Sequence, residues 1–497
     1  MQDLRFYPNA LMSCWPTWFK ETIILVENIA VTATTECLGF IHSASLRWAL
    51  YHEGRLHLNS NLRLFTGSSQ CRPNRWYINV LWAFLLTLSY SAASQSIISA
   101  EQGEMDCKSD AHGLNAPAFT ALGGSLLGLC ILATWCVLQP YGKQIITWNS
   151  DPLNTALALS HAKELPETTP SFRYPSARQP PARALYREVR LVVYYLWALV
   201  PIILISGIVA WFTVRQNEEE IGVDHDLSFG TGSATNGSFH LVPSASFLVD
   251  CVTVGTTTVT DQDDTTETYQ DTIETYQNTT EAYQGCGIKS NLAWSLEPVV
   301  YLLFVTVLQL VYTLALHTAE LVINISRDED AWRKAANLKK GTVIGAGSIK
   351  GALTSWQTLV LLALKPISHW IFGLSVVVTA VRKIVFHPLP LFALTGIAAF
   401  LAGFVTYLAY RNPKGPQPAT YGDLHRLTEL IDDWGEGADD RIYWGDKGVE
   451  EGWEVRLAGT SPQWLMVSEI KMDKIYRGLG EGEDEKSKRL FSPLRSW

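Results

Sequence analysis

Long apolar runs without charged side chains are the feature that most constrains how this chain can fold. Five segments of 22 to 24 residues are almost free of charge: 77–98, 116–138, 191–214, 296–317 and 388–410. A helix of about 20 apolar residues spans the hydrocarbon core of a bilayer, so each segment is long enough to cross once. This pattern argues against a soluble enzyme built around one buried core.

Two further segments are long enough to cross a membrane but contain charged residues. Segment 22–42 contains Glu27 and Glu36, which predicts either a span that faces its neighbours or an interfacial helix. Segment 353–380 is interrupted by Lys365 and the proline after it, which predicts a kinked span or a re-entrant hairpin. The predicted fold class is an all-α polytopic membrane protein with about seven transmembrane helices, five of them clear.

The overall composition indicates large aqueous regions beside the spans. Only 18% of the 497 residues are charged, against about 25% in globular domains. The mean hydropathy is nevertheless only +0.07, so much of the chain lies in water. We therefore predict a transmembrane domain at 1–410 and a small cytoplasmic α+β tail domain at 411–497.

The distribution of basic residues predicts the orientation, because Lys and Arg accumulate on the cytoplasmic side of a membrane. With seven spans and the N-terminus outside, the inner loops contain 18 basic residues and the outer segments contain six. The N-terminus is therefore expected on the outer or lumenal side and the C-terminus in the cytoplasm. Plasma membrane and endomembrane both remain open.

The longest predicted outer loop, 216–295, has the composition of an extracytoplasmic segment. It contains 13 acidic residues, one basic residue and three consecutive copies of a threonine-rich unit typical of a solvated stretch. Asn236 and Asn278 lie in glycosylation sequons. Cys251 and Cys286 lie in the same oxidising segment, and we expect them to form a disulfide. The chain is thus predicted to be a glycoprotein.

The cytoplasmic side is predicted to contain a linker and the tail. Segment 164–183 is rich in proline and arginine, which is typical of a linker. In the tail, apolar residues recur at helical spacing from 424 to 434, and three strand-like runs follow at 441–444, 453–457 and 465–470. The 13 basic and 17 acidic residues of the tail form no basic patch, so a nucleic-acid partner is not expected. The expected partners are the lipid bilayer and a cytoplasmic protein docked on the inner loops and tail.

Patterns that would indicate an enzyme are absent from the sequence. No Cys-x-x-Cys, His-Glu-x-x-His, Gly-x-Ser-x-Gly or phosphate-loop pattern occurs. Four cysteines at predicted membrane depth or beneath it are expected to be small free hydrophobes: Cys37, Cys71, Cys130 and Cys136. We therefore expect no catalytic residues, no metal ion and no cofactor.

Ionisable residues at membrane depth are the strongest candidates for function, since an unpaired charge there costs about 3 kcal/mol or more. The main candidates are Glu27, Glu36, His317 and Lys365. Each has a structural interpretation as well, because charged side chains near span ends extend towards the interface. For Lys365 we expect an ion pair with Glu27 or Glu36, since the span would otherwise be short for a crossing.

Several polar stretches resemble those of filamentous-fungal multi-pass membrane proteins of unknown function. They include SLRWALYHEGRLHLNSNLRLF at 45–65, ITWNSDPLNTALALSH at 146–161, LHTAELVINISRDEDAWR at 316–333, KPISHWIFGL at 365–374, PQPATYGDLHRLTELIDDW at 416–434, YWGDKG at 443–448 and RLAGTS at 456–461. The resemblance covers most of the chain outside the threonine repeats. It implies a shared architecture and no known activity, so no residue role follows from it.

Two hypotheses for the function follow from these features. The first is a non-enzymatic membrane scaffold or transport-related component, favoured by the elaborate inner face and the intramembrane charges. The alternative is a seven-span receptor-like signalling protein, in which Cys107 would bond to Cys251 or Cys286. The two are distinguished by ligand-dependent coupling to a G protein, which the receptor hypothesis requires.

Overall fold

The structure is a computed structural model, and it describes part of the 497-residue chain. The described residues are 12–14, 16–99, 111–138, 145–161, 172–221, 239–241, 297–344, 354–378, 384–434, 441–449 and 455–480. All structural statements below concern these residues.

Most described residues are helical, and the helices are α1 (Thr17–His52), α2 (Trp76–Ser94), α3 (Ala116–Leu138), α4 (Pro152–His161), α5 (Ala182–Leu185), α6 (Arg187–Ile221), α7 (Glu297–Arg333), α8 (Trp356–Ser375), α9 (Pro388–Tyr410) and α10 (Leu424–Leu430). Three short 3₁₀ turns cover Arg72–Asn74, Lys334–Ala336 and Trp464–Met466. Seven of the helices, α1, α2, α3, α6, α7, α8 and α9, are long and apolar enough to cross a membrane. The prediction of seven membrane-length helices is thus confirmed.

The two weak segments both lie in continuous helices. Segment 22–42 lies inside α1, which extends beyond it at both ends to a length of 36 residues. Segment 353–380 contains α8, which continues through Pro366 and is followed by a strand from Val376. The re-entrant hairpin was therefore a wrong alternative. A proline removes one backbone donor, and the buried surroundings of α8 hold the helix together across that gap.

Short strands divide into two groups that mark the two ends of the bundle. At one end, β1 (Met12–Cys14), β2 (Ile97–Ser99) and β3 (Ala111–Leu114) form an antiparallel sheet in the order β1-β3-β2, and β5 (Phe239–Leu241), β7 (Val376–Val378) and β8 (Ile384–Phe386) form another in the order β5-β8-β7. The Gln95 side chain joins the two sheets by hydrogen bonds to Val376 O and Val378 N, at 2.8 and 2.9 Å. We call this the N-terminal end.

The other end, the C-terminal end, carries a five-stranded sheet. Its order is β4-β11-β10-β9-β6, made from β4 (Phe172–Arg173), β6 (Thr342–Val343), β9 (Arg441–Val449), β10 (Arg456–Ser461) and β11 (Tyr476–Arg477). The β10–β11 pair is parallel and the other pairs are antiparallel. The strands of this sheet follow α3, α7 and α9 in the chain, so these three helices end on the same side of the bundle. This is the arrangement expected of helices that run in alternating directions.

The described part of the tail contains one helix, α10, and three strands of this sheet, β9, β10 and β11. The five-stranded sheet takes its two edge strands, β4 and β6, from loops between spans. Strand β9 contains the run predicted at 441–444, whereas β10 begins at Arg456 and overlaps only the last two residues of the run predicted at 453–457. The run at 465–470 is wrong as a strand, because it begins in a 3₁₀ turn with exposed side chains and contributes only an isolated bridge between Ser468 and Asp446.

Three apolar clusters hold the helices together. One joins α6, α7, α8 and α9, a second joins α1, α2, α3 and α7, and a third lies under the C-terminal sheet. Helices α2 and α8 pack on each other, and each of them also packs on both α1 and α7. The space between these four helices contains buried polar and charged side chains.

Candidate functional site

Lys365 occupies the centre of a charged cluster between α1, α7 and α8. It is the tenth of the 20 residues of α8, and its side chain is 2% exposed. The ammonium group forms ion pairs with Glu36 of α1 and Glu320 of α7. A buried cation persists only when opposite charge and hydrogen bonds replace its hydration, and the two carboxylates provide both.

His317 extends the cluster along α7. Its Nδ1 lies 2.6 Å from Glu320 Oε1, one helical turn away, and 3.4 Å from Arg63 Nη2. The carboxylate requires a protonated Nδ1, whereas the guanidinium requires an unprotonated Nδ1, so one protonation state satisfies only one of these neighbours. The second ring nitrogen, Nε2, is buried and has no hydrogen-bond partner among the described residues. The imidazole is therefore able to exchange protons at this position.

A second set of polar groups continues towards the N-terminal end. The His369 ring stacks on Tyr90 with a centroid distance of 3.6 Å, and Gln309 Nε2 lies 2.8 Å from His369 Nδ1. Ser91 donates to Gln309 Oε1 at 2.7 Å, and Tyr90 shares a 3.0 Å hydrogen bond with Thr35, the neighbour of Glu36 in α1. These groups lie beside the charged cluster along the helices, since Thr35 precedes Glu36 in α1 and His369 is one turn from Lys365 in α8.

The polar groups reach a cleft at the N-terminal end. Ser94 Oγ donates to His369 O at 3.1 Å, and Ser94 also lines a cleft with Lys20, Glu21 and Trp370. Trp370 Nε1 lies 3.3 Å from Glu21 Oε2, and Lys20 Nζ lies 3.7 Å from Glu21 Oε1. Polar side chains thus occur in two groups between this cleft and Arg63, which belongs to the loop at the C-terminal end. We call these two groups together the polar core.

The sequence candidates divide between the polar core and other places. Glu36, His317 and Lys365 come together as described, with Glu36 as the partner of Lys365. Glu27 lies elsewhere on α1 and accepts a 2.7 Å hydrogen bond from Ser96. The predicted choice between Glu27 and Glu36 is thus decided by helix packing, which sequence spacing cannot supply.

Other members of the polar core had weaker or no sequence signals. Glu320 is three residues from His317, and His369 is four from Lys365, which are spacings that share a helix face. Arg63 belongs to a loop in which nothing distinguishes it from the neighbouring arginines. Its position could be found only from the folded chain.

The cluster also has the ligand types of a metal site. One ligand atom each from Glu36, His317 and Glu320 lies within 4.8 Å of the others. The Lys365 ammonium, however, contacts both carboxylates, and Arg63 lies beside the imidazole. Two cationic side chains thus balance two carboxylates, and a metal ion would have to displace Lys365 to bind.

A separate polar cluster at the C-terminal end is structural. The Asn59 amide nitrogen donates to Asp328 Oδ2 and Ser150 O at 3.0 and 2.8 Å. Its oxygen accepts from Arg47 Nη1 and Thr155 Oγ1 at 2.9 and 3.0 Å. Every polar atom of the Asn59 amide is satisfied by protein, so this group fixes loops to helices and leaves no ligand position.

The predicted glycosylation sites Asn236 and Asn278 and the predicted disulfide between Cys251 and Cys286 lie outside the described residues. Within the described part, Cys37, Cys71, Cys130 and Cys136 are free thiols. This agrees with their interpretation as small hydrophobes. Burial of Cys71, which precedes α2, raises the pKa of its thiol and disfavours the reactive thiolate.

Seven apolar helices around a polar core are compatible with an integral membrane protein. No protein family, no curated protein and no solved structure matches this chain. The resemblance to fungal membrane proteins therefore stays a prediction, and the function has to be argued from the polar core itself.

Proposed function

We propose that this protein is a non-enzymatic transport protein that moves protons across the membrane through the polar core. The observation that carries the proposal is the position of Lys365 at the middle of a span, where it forms ion pairs with Glu36 and Glu320. Glu320 in turn contacts His317. A buried ion pair contributes little net stability compared with well-packed apolar residues. Its presence at membrane depth therefore favours a role in charge movement over a purely structural role.

The chemistry requires groups that gain and lose protons at close range. Glu320 Oε1 and His317 Nδ1 are 2.6 Å apart, so a proton passes between them without a change in backbone position. The neutral imidazole accepts a proton at Nε2 and, as an imidazolium, releases its Nδ1 proton to the Glu320 carboxylate. The ring is then neutral with its proton on Nε2, and rotation of the ring restores the starting arrangement. When neither Glu36 nor Glu320 holds the proton, the positive charge of Lys365 stabilises the two carboxylates.

The extent of the polar core, from the cleft to Arg63, supports movement across the whole membrane. On one side of Lys365 the path continues through Tyr90, Gln309 and His369 to the cleft at the N-terminal end. On the other side it ends at His317 and Arg63. We propose that the C-terminal end faces the cytoplasm, in agreement with the distribution of basic residues in the loops.

The receptor alternative has no comparable support. It depends on Cys107, Cys251 and Cys286, which lie outside the described residues. A scaffold role is compatible with the structured C-terminal end, and it is the function that would remain if no transport occurs.

The test is proton flux in sealed vesicles that contain the purified protein. An imposed membrane potential should change the internal pH, which is acidified or alkalinised according to the sign of the potential and is followed with a trapped pH-sensitive dye. Glu320→Gln should reduce the initial rate of this pH change at least tenfold. Thr306→Val is the matched control, because Thr306 is buried in the same helix and its hydroxyl bonds only to Leu302 O within that helix. Equal rates for the protein, Glu320→Gln and protein-free vesicles would overturn the proposal.

A further inference from the structure

The guanidinium of Arg63 fills a slot in the bundle wall at the C-terminal end. The slot is opened by Gly39 of α1: a Cβ at this position would overlap Arg63 Nη1 and lie 3.0 Å from its Cζ. Gly39 is buried, and Arg63 comes from the loop between α1 and α2. A glycine in a membrane helix is thus matched to an arginine that arrives from outside the helix.

The position of Arg63 affects the proton chemistry of His317. Its Nη2 lies 3.4 Å from His317 Nδ1, and a guanidinium donates hydrogen bonds but never accepts them. While Arg63 is in the slot, its charge opposes protonation of the imidazole, and its Nη2 competes with Glu320 Oε1, 2.6 Å away, for Nδ1. When Arg63 leaves the slot, this opposition is removed and the imidazole is accessible to a proton donor from the C-terminal end.

We propose that Arg63 is the gate at the C-terminal end of the polar core, closed when its guanidinium lies against Gly39 and His317 and open when it withdraws. This inference rests on the proposed proton transport. Arg63 is a positioning residue, since it controls access to His317 and carries no proton itself.

The loop that carries Arg63 is also tied to the tail. Asn59 N donates to Gly422 O at 2.8 Å, and Leu424 N donates to His57 O at 3.0 Å. Arg63 follows directly in the same loop, and its own N donates to Asn61 O at 2.9 Å. Movement of the 420–424 segment would therefore shift the loop and withdraw Arg63, which gives the tail a route to control the gate.

Two substitutions open the gate by opposite means. Arg63→Gln removes the charge, whereas Gly39→Ala leaves Arg63 in the chain and displaces its flexible end from the slot. Gly39→Ala should fold, because the atom displaced is the tip of a mobile side chain and alanine favours helix by about 1 kcal/mol over glycine. The controls are Arg72→Gln, an exposed arginine of the same loop, and Gly403→Ala in α9, where an added Cβ meets nothing within 4 Å.

The first measurement is the solvent accessibility of His317 in lipid nanodiscs, followed as carbethoxylation by diethyl pyrocarbonate with peptide mass spectrometry. The modification rate of His317 should be at least fivefold higher in both gate variants than in the protein without substitutions. The two control variants should show the same rate as the protein without substitutions. The second measurement is proton flux in vesicles, which should increase in the same two variants.

The outcomes separate the gate from the transport function. If diethyl pyrocarbonate modifies His317 in either folded gate variant at the same rate as in the protein without substitutions, Arg63 is not a gate. If both variants increase modification but no protein conducts protons, the gate geometry stands and the proposed transport function fails.

Discussion

At the residue scale, Lys365 shows how a charge is kept inside an apolar bundle. Its ammonium is almost inaccessible to solvent, yet Glu36 and Glu320 replace its hydration shell. With Arg63 beside His317, the cluster contains two cations and two carboxylates. The fold therefore requires charge balance within the cluster, and removal of one member should be corrected by removal of an opposite charge.

We predict that Lys365→Met destabilises the folded protein by about 3 kcal/mol or more, because it leaves a carboxylate at membrane depth without its counter-charge. Adding Glu36→Gln should restore much of the thermal stability, measured by tryptophan fluorescence in detergent. Adding Glu27→Gln is the matched control, since Glu27 binds Ser96 and does not contact Lys365. Equal rescue by both glutamate substitutions would contradict the pairing.

Asp151, at the start of α4, carries a pH-dependent cost outside the spans. Burial, with a contribution from Asp328, raises the pKa of the Asp151 carboxyl from 3.8 to about 6. Ionisation in the folded state is therefore unfavourable, and the cost is absent below about pH 4, grows between pH 4 and 6, and is complete above pH 6. Its contribution to stability falls as the pH rises through this window.

We predict that Asp151→Asn raises the melting temperature at pH 7.5 and that the gain disappears as the pH approaches 4. The amide oxygen of asparagine keeps an acceptor for Asn154 N, which lies 3.2 Å from Asp151 Oδ2. Asp473→Asn is the control, because the Asp473 side chain is 75% exposed. A gain that is constant with pH would show that the charge is not responsible.

At the scale of elements, α1 and α7 are longer than a bilayer requires. They contain 36 and 37 residues, or about 55 Å of helix at 1.5 Å per residue, against a hydrocarbon core of about 30 Å. Their extra turns carry Trp48 and Trp332 into the apolar cluster under the C-terminal sheet. The described part of the tail therefore packs directly against the extensions of α1 and α7.

Glu329 of α7 is the main polar attachment of the tail. Its Oε2 accepts hydrogen bonds from the backbone N–H groups of Thr420 and Tyr421, both at 2.8 Å, while Oε1 accepts from Arg333 at 2.6 Å. Tyr421 has a φ of +50°, a strained conformation for a residue with a side chain. The two hydrogen bonds help to hold that conformation in place.

We predict that Glu329→Gln releases the 417–424 segment, because the amide is uncharged and turns its N–H groups either towards the two backbone donors or towards Arg333. Hydrogen bonds to a charged group contribute about 1.5–3 kcal/mol, so amide hydrogen exchange at Thr420 and Tyr421 should accelerate at least tenfold. Glu469→Gln in the same tail is exposed and should leave this exchange unchanged. Unaltered exchange in Glu329→Gln would mean that apolar packing alone holds the segment.

At the scale of the whole molecule, the sheets fix the alternation of the spans, while the distribution of basic residues predicts which end faces the cytoplasm. We predict that a fluorescent reporter fused at the C-terminus is shielded from external quencher in intact cells and that one fused at the N-terminus is exposed to it or lies in a lumen. Reporters on the same side would contradict an odd number of crossings.

The same orientation predicts modification of the 216–295 loop. Asn236→Gln and Asn278→Gln should each increase gel mobility, and glycosidase should remove the difference. Unchanged gel mobility of both variants would mean that the loop is not glycosylated or that it lies on the cytoplasmic side.

The sequence by itself predicted a membrane protein and about seven helices of membrane length, and the structure has seven such helices. Apolar length is a local property, because a run of about 20 uncharged residues satisfies its backbone hydrogen bonds within one helix wherever it lies in the fold. The five clear spans and both weak ones were visible on that basis. The sequence also indicated that Lys365 needs a partner, since the cost of an isolated charge in hydrocarbon does not depend on its neighbours.

Only the tertiary structure decided which residues meet. Glu27 and Glu36 have the same chemistry and lie nine positions apart on one helix, so the partner of Lys365 depends on how α1 packs against α8. Arg63 reaches His317 from 254 positions away through a slot that a single glycine opens. Contacts of this kind depend on helix rotation and loop placement, which are set by packing of the whole bundle and not by any local pattern.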